Sequence, residues 1–102
     1  NWVFTAALSG SDTEKTITMT GNDGTIVTAR LTSTWGKVGH GSYYLNEPGV
    51  NNADNVTVNG KAIATGNTSG TISIDYNSDK VIVDMTINGT KYVGTSTNTL
   101  FS

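Results

Sequence analysis

The chain has 102 residues, enough for one domain with a single hydrophobic core and too few for a second. A net charge of -2 provides no basic field for nucleic-acid phosphates, and the absence of cysteine excludes disulfides, thiolate nucleophiles and cysteine-ligated zinc. Charged residues make up only 14% of the chain, while Thr, Ser, Asn and Gly are abundant. This composition favours β-strands joined by short turns and is typical of secreted or cell-surface domains. No apolar run approaches the roughly 20 residues of a membrane-spanning helix, so a mature, soluble chain is expected.

The first third of the chain predicts a strand followed by a hairpin. Residues 2–8 are mostly apolar, which predicts a strand that could be buried on both faces. Two alternating runs then flank Gly-Asn-Asp-Gly, and a three-residue loop at 22–24 sets Met19 opposite Val27. A shift by one residue would place threonines against the apolar residues, so this register is favoured. The residues of the second strand that are expected to face inward are Val27, Ala29, Leu31 and Trp35.

The last third predicts a three-stranded meander. Residues 71–75 and 80–87 alternate between apolar and polar and are separated by residues 76–79. A four-residue loop there pairs Asp75 with Lys80, so that opposite charges meet while the apolar residues share one face. The meander is expected to continue through a second, tighter turn.

Two Asn-Gly dipeptides predict tight hairpin turns. Asn88-Gly89 is expected to form a type I′ turn that sets Met85 opposite Tyr92 on the inward face. Asn59-Gly60 predicts a shorter hairpin between residues 55–58 and 61–64. Between these regular parts, residues 36–55 are irregular, and only residues 42–45 are expected to be extended.

These patterns predict an all-β protein. No segment has a sustained 3.6-residue apolar period, and the single proline and twelve glycines are spread through turns. We expect one domain over residues 1–102, an antiparallel β-sandwich of about eight short strands. A closed β-barrel is the alternative, because eight short alternating strands satisfy both architectures.

The chemically unusual part of the sequence is an aromatic, glycine-rich stretch. The residues that it offers for ligand contact are Trp35, His40, Tyr43 and Tyr44. Aromatic side chains of this kind stack on sugar rings and settle into the headgroup layer of membranes. Adjacent strand residues point to opposite faces, so at least one of the two tyrosines is expected at the surface. Trp35 is equally compatible with a position in the core.

The sequence predicts no catalytic centre, metal site or cofactor. His40 is the only histidine, and no nucleophile-elbow pattern surrounds a serine. The carboxylates at 75, 79 and 84 lie near or on one predicted hairpin, where turn chemistry and solubility explain them rather than a pair of glycosidase acids. The polar cluster at residues 51–55 lacks the acidic spacing of an EF-hand loop and is expected to be a solvated loop.

Several segments resemble a known family. Trp2-Val3, residues 15–18 and residues 29–37, which end in Trp-Gly-Lys, resemble the start of the aegerolysins. Residues 67–75 are similar to that family's Gly-Thr-x-Gly-Ser-Phe segment, whereas residues 85–91 stand where the family has Trp-Asp-Cys-Pro-Trp-Gly. Aegerolysins are small acidic β-sandwich proteins of fungi and bacteria that recognise particular membrane lipids. The resemblance implies a non-enzymatic, lipid-binding protein, with lytic action requiring a separate partner protein.

Two functional hypotheses follow from the sequence. The first is a secreted or cell-surface recognition module that binds a membrane-lipid headgroup or a glycan through the aromatic stretch and has no nucleic-acid partner. The second is a structural or adhesin-type, fimbria-like domain that self-assembles through strand edges into a homo-oligomer. Neither hypothesis includes an enzyme activity.

Overall fold

Strands make up all the regular secondary structure of the described part of the chain. The computed structural model describes residues 3–11, 14–33, 41–47, 49–64, 68–77 and 80–97. The strands are β1 (Val3–Gly10), β2 (Glu14–Gly21), β3 (Ile26–Thr32), β4 (Gly41–Leu45), β5 (Asn52–Val58), β6 (Lys61–Ala62), β7 (Gly70–Asn77), β8 (Lys80–Ile87) and β9 (Thr90–Thr97). Within these residues no helix is long and apolar enough to cross a membrane.

Eight of the strands close into a barrel. Their order is β3-β2-β1-β9-β8-β7-β4-β5, and β5 pairs back onto β3 to complete the ring, while the short β6 pairs with the end of β5. The predicted sandwich is therefore wrong, and the alternative barrel is correct. The expectation of a fully antiparallel sheet is also wrong, because β1 pairs with β9 and β4 with β5 in parallel. Both architectures need the same in-out alternation along each strand. The pairings that distinguish them, β3 with β5 and β1 with β9, join segments that are distant in sequence and leave no local pattern.

The first hairpin forms in the predicted register. Met19 lies opposite Val27, and Ile17 opposite Ala29. Gly24 has a positive φ of 89°, which suits the left-handed end of the three-residue loop. The Asp23 carboxylate accepts a hydrogen bond from the Thr25 backbone N–H at 3.0 Å, and this bond lowers the pKa of Asp23 below its usual value. The loop is therefore fixed by its own side chain.

The second predicted hairpin has a different register. Asp75 lies opposite Ile82, and Lys80 lies opposite Asn77 rather than opposite Asp75. Strand β7 extends two residues beyond its predicted end, to Asn77, whereas β8 begins at Lys80 as predicted. A shift of two residues keeps every side chain on its original face, so the hydrophobic pattern cannot distinguish the two registers. The following turn is as predicted, with Met85 opposite Tyr92.

The barrel interior is filled by apolar side chains. Alternate residues of the regular barrel strands point inward, and an eight-stranded barrel is narrow enough for side chains to fill it. Strand β1 is buried on one face only, because Phe4 and Ala6 face the core while Thr5 is exposed, contrary to the expectation of burial on both faces. The core residues are Phe4, Ala6, Ile17, Met19, Val27, Ala29, Leu31, Tyr43, Leu45, Ala53, Val56, Ile72, Ile74, Val81, Val83, Met85 and Ile87. A ligand would therefore meet the barrel on its outside or at its ends.

Polar contacts on the outside hold β3 against β5. The Arg30 guanidinium donates two hydrogen bonds of 2.7 Å to the Asp54 carboxylate and lies 3.4 Å from the Glu14 carboxylate. The bonds to Asp54 raise the pKa of Arg30. The polar cluster expected to be a solvated loop is thus largely strand β5, beginning at Asn52.

A bulge in β5 explains part of that misassignment. The register with β3 shifts between Thr28 and Arg30, and Asn55 in the bulged stretch has a positive φ of 49°. The extra residue lets Ala53 and Val56 both face the core, although they are three residues apart. The alternation expected of a regular strand is therefore broken at this point.

Candidate functional site

Two of the four residues predicted to contact a ligand are described, and they point to opposite faces of their strand. Trp35 and His40 lie outside the described residues. Tyr43 is 0% exposed and belongs to the core, so its side chain is not on the surface, as a ligand contact would require. Tyr44 points to the opposite face and is 41% exposed, as the alternation of a strand requires for one of the pair. Of the predicted residues that are described, Tyr44 alone offers a surface aromatic ring.

Tyr44 stands in a row of polar side chains on the outer face of the barrel. It pairs with Asn52 on β5 and with Thr71 on β7, and Thr71 pairs in turn with Thr86 on β8. Residues opposite one another in neighbouring strands share a face and lie about 5 Å apart at Cβ. The tyrosine ring therefore has an amide on one side and two hydroxyl groups on the other.

A groove of about 550 Å³ opens next to this row. It lies where β4 ends and β7 begins, beside the turn between β8 and β9. Its lining residues are Leu45, Asn46, Glu47, Thr68, Ser69, Gly70, Thr71, Thr86 and Gly89. Thr71 and Thr86 belong to both the groove and the row, so Tyr44, which pairs with Thr71, neighbours the groove without being one of its lining residues.

One wall of the groove is the chain that follows β4. Asn46 adopts a positive φ of 54°, a conformation that asparagine tolerates better than most residues, and its N–H donates to the Ala53 carbonyl at 3.0 Å. The next residue, Glu47, donates its backbone N–H to the Asn52 side chain at 3.0 Å. These bonds turn the chain sharply and leave the Glu47 side chain exposed.

The opposite wall is the segment that enters β7. The Thr68 hydroxyl donates to the Ile63 carbonyl at 3.4 Å, and the Asn88 backbone N–H donates to the Ser69 carbonyl at 3.0 Å. At Gly70, an added Cβ would clash with the Thr86 carbonyl oxygen. A side chain there would push β7 away from β8, so glycine is required for the two strands to meet under the groove.

The groove carries several hydroxyl groups and almost no charge. Four of its lining residues carry hydroxyl groups, and Glu47 is the single charged side chain among them. Lys91 pairs with Thr86 in the sheet, and its ammonium group lies 3.3 Å from the Asp84 carboxylate. Among the described residues, no group of three His, Cys, Asp or Glu side chains could hold a metal ion. The available chemistry is hydrogen bonding beside an aromatic ring.

The sequence pattern identified the ring but not the groove. Thr68 and Ser69 belong to a stretch of small polar residues that predicts only a loop or turn. Thr71 and Thr86 are ordinary outward-facing positions of a predicted meander. The signal that could have joined them to Tyr44 is the pairing of β4 with β7, two strands that β5 and β6 separate in the sequence. No local pattern predicts that pairing.

Comparisons with protein-family models, with curated proteins and with solved structures found no match. The resemblance to aegerolysins therefore rests on the residues quoted for it and remains a prediction.

Proposed function

We propose that this protein is a secreted or cell-surface recognition module, without enzyme activity, that binds a neutral glycan through Tyr44 and the groove beside it. The observation that carries the proposal is the exposed ring of Tyr44, which pairs with Thr71 in the lining of a groove that carries four hydroxyl side chains. The filled barrel interior supports an external site, because apolar side chains occupy the core and leave no room there for a ligand.

The chemistry of the site suits a sugar ring. The apolar face of a sugar packs against an aromatic ring, and its hydroxyl groups need donors and acceptors at the edge. Thr71 and Thr86 supply hydroxyl groups next to the tyrosine, and Asn52 supplies a side-chain amide on its other side. Lining residues with one negative charge and no positive charge favour neutral sugars over acidic ones.

A membrane-lipid headgroup is supported less well by the described surface. Adsorption to a membrane depends on a continuous apolar area and on basic residues that face anionic lipids. The large hydrophobic side chains exposed in the described part of the chain are Tyr44 and Ile26. Ile26 lies beside Asn59 and Tyr44 beside Asn52, which places them roughly 20 Å apart along β5. They do not form one patch. Because of the resemblance to aegerolysins, the experiments below also test binding to lipid vesicles.

Self-assembly through strand edges is also less well supported. Each of the eight barrel strands has a neighbour on both sides, and a closed sheet removes the edges through which strands add to one another. Size-exclusion chromatography over a range of protein concentrations tests this alternative. A concentration-dependent oligomer that forms without glycan would favour the structural hypothesis over the recognition module.

Binding to an array of neutral oligosaccharides, followed by titration calorimetry on the sugars bound, tests the proposal. Tyr44→Ala is expected to weaken binding about tenfold or more, whereas Tyr44→Phe keeps the ring and most of the affinity. Ile26→Ala is the matched control, because it removes a similarly exposed apolar side chain away from the groove.

Two results would overturn the proposal. The first is the absence of binding to any neutral glycan on the array. The second is equal affinity of the wild type and Tyr44→Ala for a glycan that does bind. Co-sedimentation with vesicles of neutral and anionic phospholipids, in the absence of glycan binding, would assign the site to a lipid headgroup instead.

A further inference from the structure

Three tight turns place an acidic or amide side chain directly before glycine. They are Asp23-Gly24, Asn59-Gly60 and Asn88-Gly89. A glycine that follows asparagine leaves its backbone nitrogen sterically open to the asparagine side chain, because glycine has no Cβ. Attack of that nitrogen on the side-chain carbonyl is the first step of deamidation. The turns therefore present two candidate sites of the same chemistry, at Asn59 and Asn88.

The two Asn-Gly turns have nearly the same backbone. The φ angles are 52° and 83° at Asn59 and Gly60, and 50° and 81° at Asn88 and Gly89. All four residues are exposed. Solvent access and backbone geometry therefore do not separate the two sites, and any difference in reactivity has to come from the asparagine side chains.

The side chains are held differently. The Asn59 side-chain oxygen accepts a hydrogen bond from the Ile26 N–H at 2.9 Å, and the Asn59 N–H donates to the Ile26 carbonyl at 2.7 Å. The Asp23 carboxylate is held in the same way by the Thr25 N–H at 3.0 Å. The Asn88 backbone N–H donates a hydrogen bond to the Ser69 carbonyl. Among the described residues, none forms a hydrogen bond with the Asn88 side chain.

We infer that Asn88 is the site at which this protein deamidates in its folded state, and that Asn59 is protected by its bond to Ile26. The Gly89 nitrogen loses its proton to solvent and attacks Cγ of Asn88. The bond from Cγ to the side-chain nitrogen breaks, ammonia leaves, and a five-membered succinimide remains. Water then opens either ring carbonyl and gives aspartate or isoaspartate. Rotation of the Asn88 side chain toward Gly89 requires no bond to be broken, whereas that of Asn59 does.

The reaction would alter the edge of the groove. Gly89 is one of its lining residues, so a carboxylate at position 88 adds a second negative charge near Glu47. Isoaspartate also inserts a methylene group into the backbone of a two-residue turn, which the type I′ geometry cannot accommodate. The site itself does not depend on the proposed glycan function.

Peptide mapping by mass spectrometry tests the inference. The purified folded protein is incubated at mildly alkaline pH, and cleavage after lysine then separates Asn59 from Asn88, since Lys61 and Lys80 lie between them. Deamidation at Asn88 is expected to be roughly fivefold or more faster than at Asn59, as the net worth of one hydrogen bond implies. Asn88→Gln is expected to remove most of the ammonia release, and Asn59→Gln to remove little.

The denatured chain is the internal control. In strong denaturant both dipeptides lose their native contacts, so the two rates are expected to converge. Equal rates at the two sites in the folded protein would overturn the inference, as would faster reaction at Asn59. Reaction at Asn88 that is confined to the denatured chain would overturn it as well.

Discussion

The β7–β8–β9 meander and the β4–β5 junction differ in how much of their length is paired. Strand β8 is paired with both neighbours along its whole length, from Lys80 to Ile87. Strands β4 and β5 run parallel and meet only at Tyr44 with Asn52 and at Leu45 with Ala53. The groove lies between the two regions, with one wall from each. A well-paired wall thus faces one with few strand pairs, and local opening is expected at the second.

The largest expected effect of a substitution is in the meander core. Met85 is fully buried between Ile72 and Tyr92. Met85→Ala is expected to lower the free energy of unfolding by about 2–5 kcal/mol, because it leaves a cavity in tightly paired surroundings. Urea denaturation measures the loss. Thr95→Ala on the exposed face of β9 is the control, with an expected change below about 1 kcal/mol.

A matched substitution at the junction sharpens the comparison. Leu45 is also buried, but its strand has fewer pairs to hold it. Leu45→Ala is therefore expected to cost less than Met85→Ala, toward the lower end of the same range, about 2 kcal/mol, because the site can partly collapse. A loss at Leu45 as large as that at Met85 would show that the junction is as rigid as the meander.

Hydrogen exchange compares the two regions without a substitution. In the junction, the Tyr44 amide donates to the Asn51 carbonyl and the Asn46 amide donates to the Ala53 carbonyl, each at 3.0 Å. These two amides are expected to exchange roughly tenfold or more faster than those in the middle of β8, because the junction opens locally. NMR-detected exchange in heavy water gives the rates. Equal protection in both regions would contradict the comparison.

A smaller effect is expected where β3 and β5 close the barrel. The Arg30 and Asp54 side chains are 39% and 24% exposed, so solvent screens much of their attraction. A double-mutant cycle with Arg30→Ala and Asp54→Ala is expected to give a coupling energy of about 1 kcal/mol or less. A coupling energy of zero would mean that the backbone pairing holds this closure alone.

The smallest effect is a pH dependence at the first hairpin. The pKa of Asp23 is lowered from its usual value of 3.8 by the bond from Thr25. Its stabilisation is therefore present above that value and is lost as the pH falls through the lower, folded-state pKa. The difference in unfolding free energy between the wild type and Asp23→Ala should shrink as the solution is acidified. A difference that stays constant with pH would show that the carboxylate charge contributes nothing.

Local pairing was predictable from the sequence because turn chemistry and alternation act over short distances. The Asn22-Asp23-Gly24 loop fixed the β2–β3 register, and Asn88-Gly89 fixed that of β8 and β9. Where the turn was ambiguous, as between Asp75 and Lys80, the register was wrong by two residues. A two-residue shift leaves the same side chains buried, so hydrophobic alternation cannot distinguish the two registers.

The barrel and the groove were not predictable in the same way. Closure depends on the pairing of β3 with β5 and of β1 with β9, which are far apart in sequence. The alternation of Tyr43 and Tyr44 did predict that one of them would be exposed, but only the position of Leu45 in the core shows which. The hydroxyl groups around Tyr44 come from strands whose neighbours the sequence leaves open.

The parallel pairing of β1 with β9 has a consequence for how the protein forms. Val3 lies beside Val93, so the first strand finds its second neighbour only among the last residues of the barrel. During synthesis, β1 leaves the ribosome long before β9. In the β1–β2–β3 sheet, the edge of β1 that later pairs with β9 is therefore unpaired until β9 is made. Topologies dominated by such distant contacts fold slowly, over milliseconds to seconds. Until β9 is synthesised, another chain could add a strand at the open edge of β1, so within the barrel β9 protects the edge of a strand made much earlier.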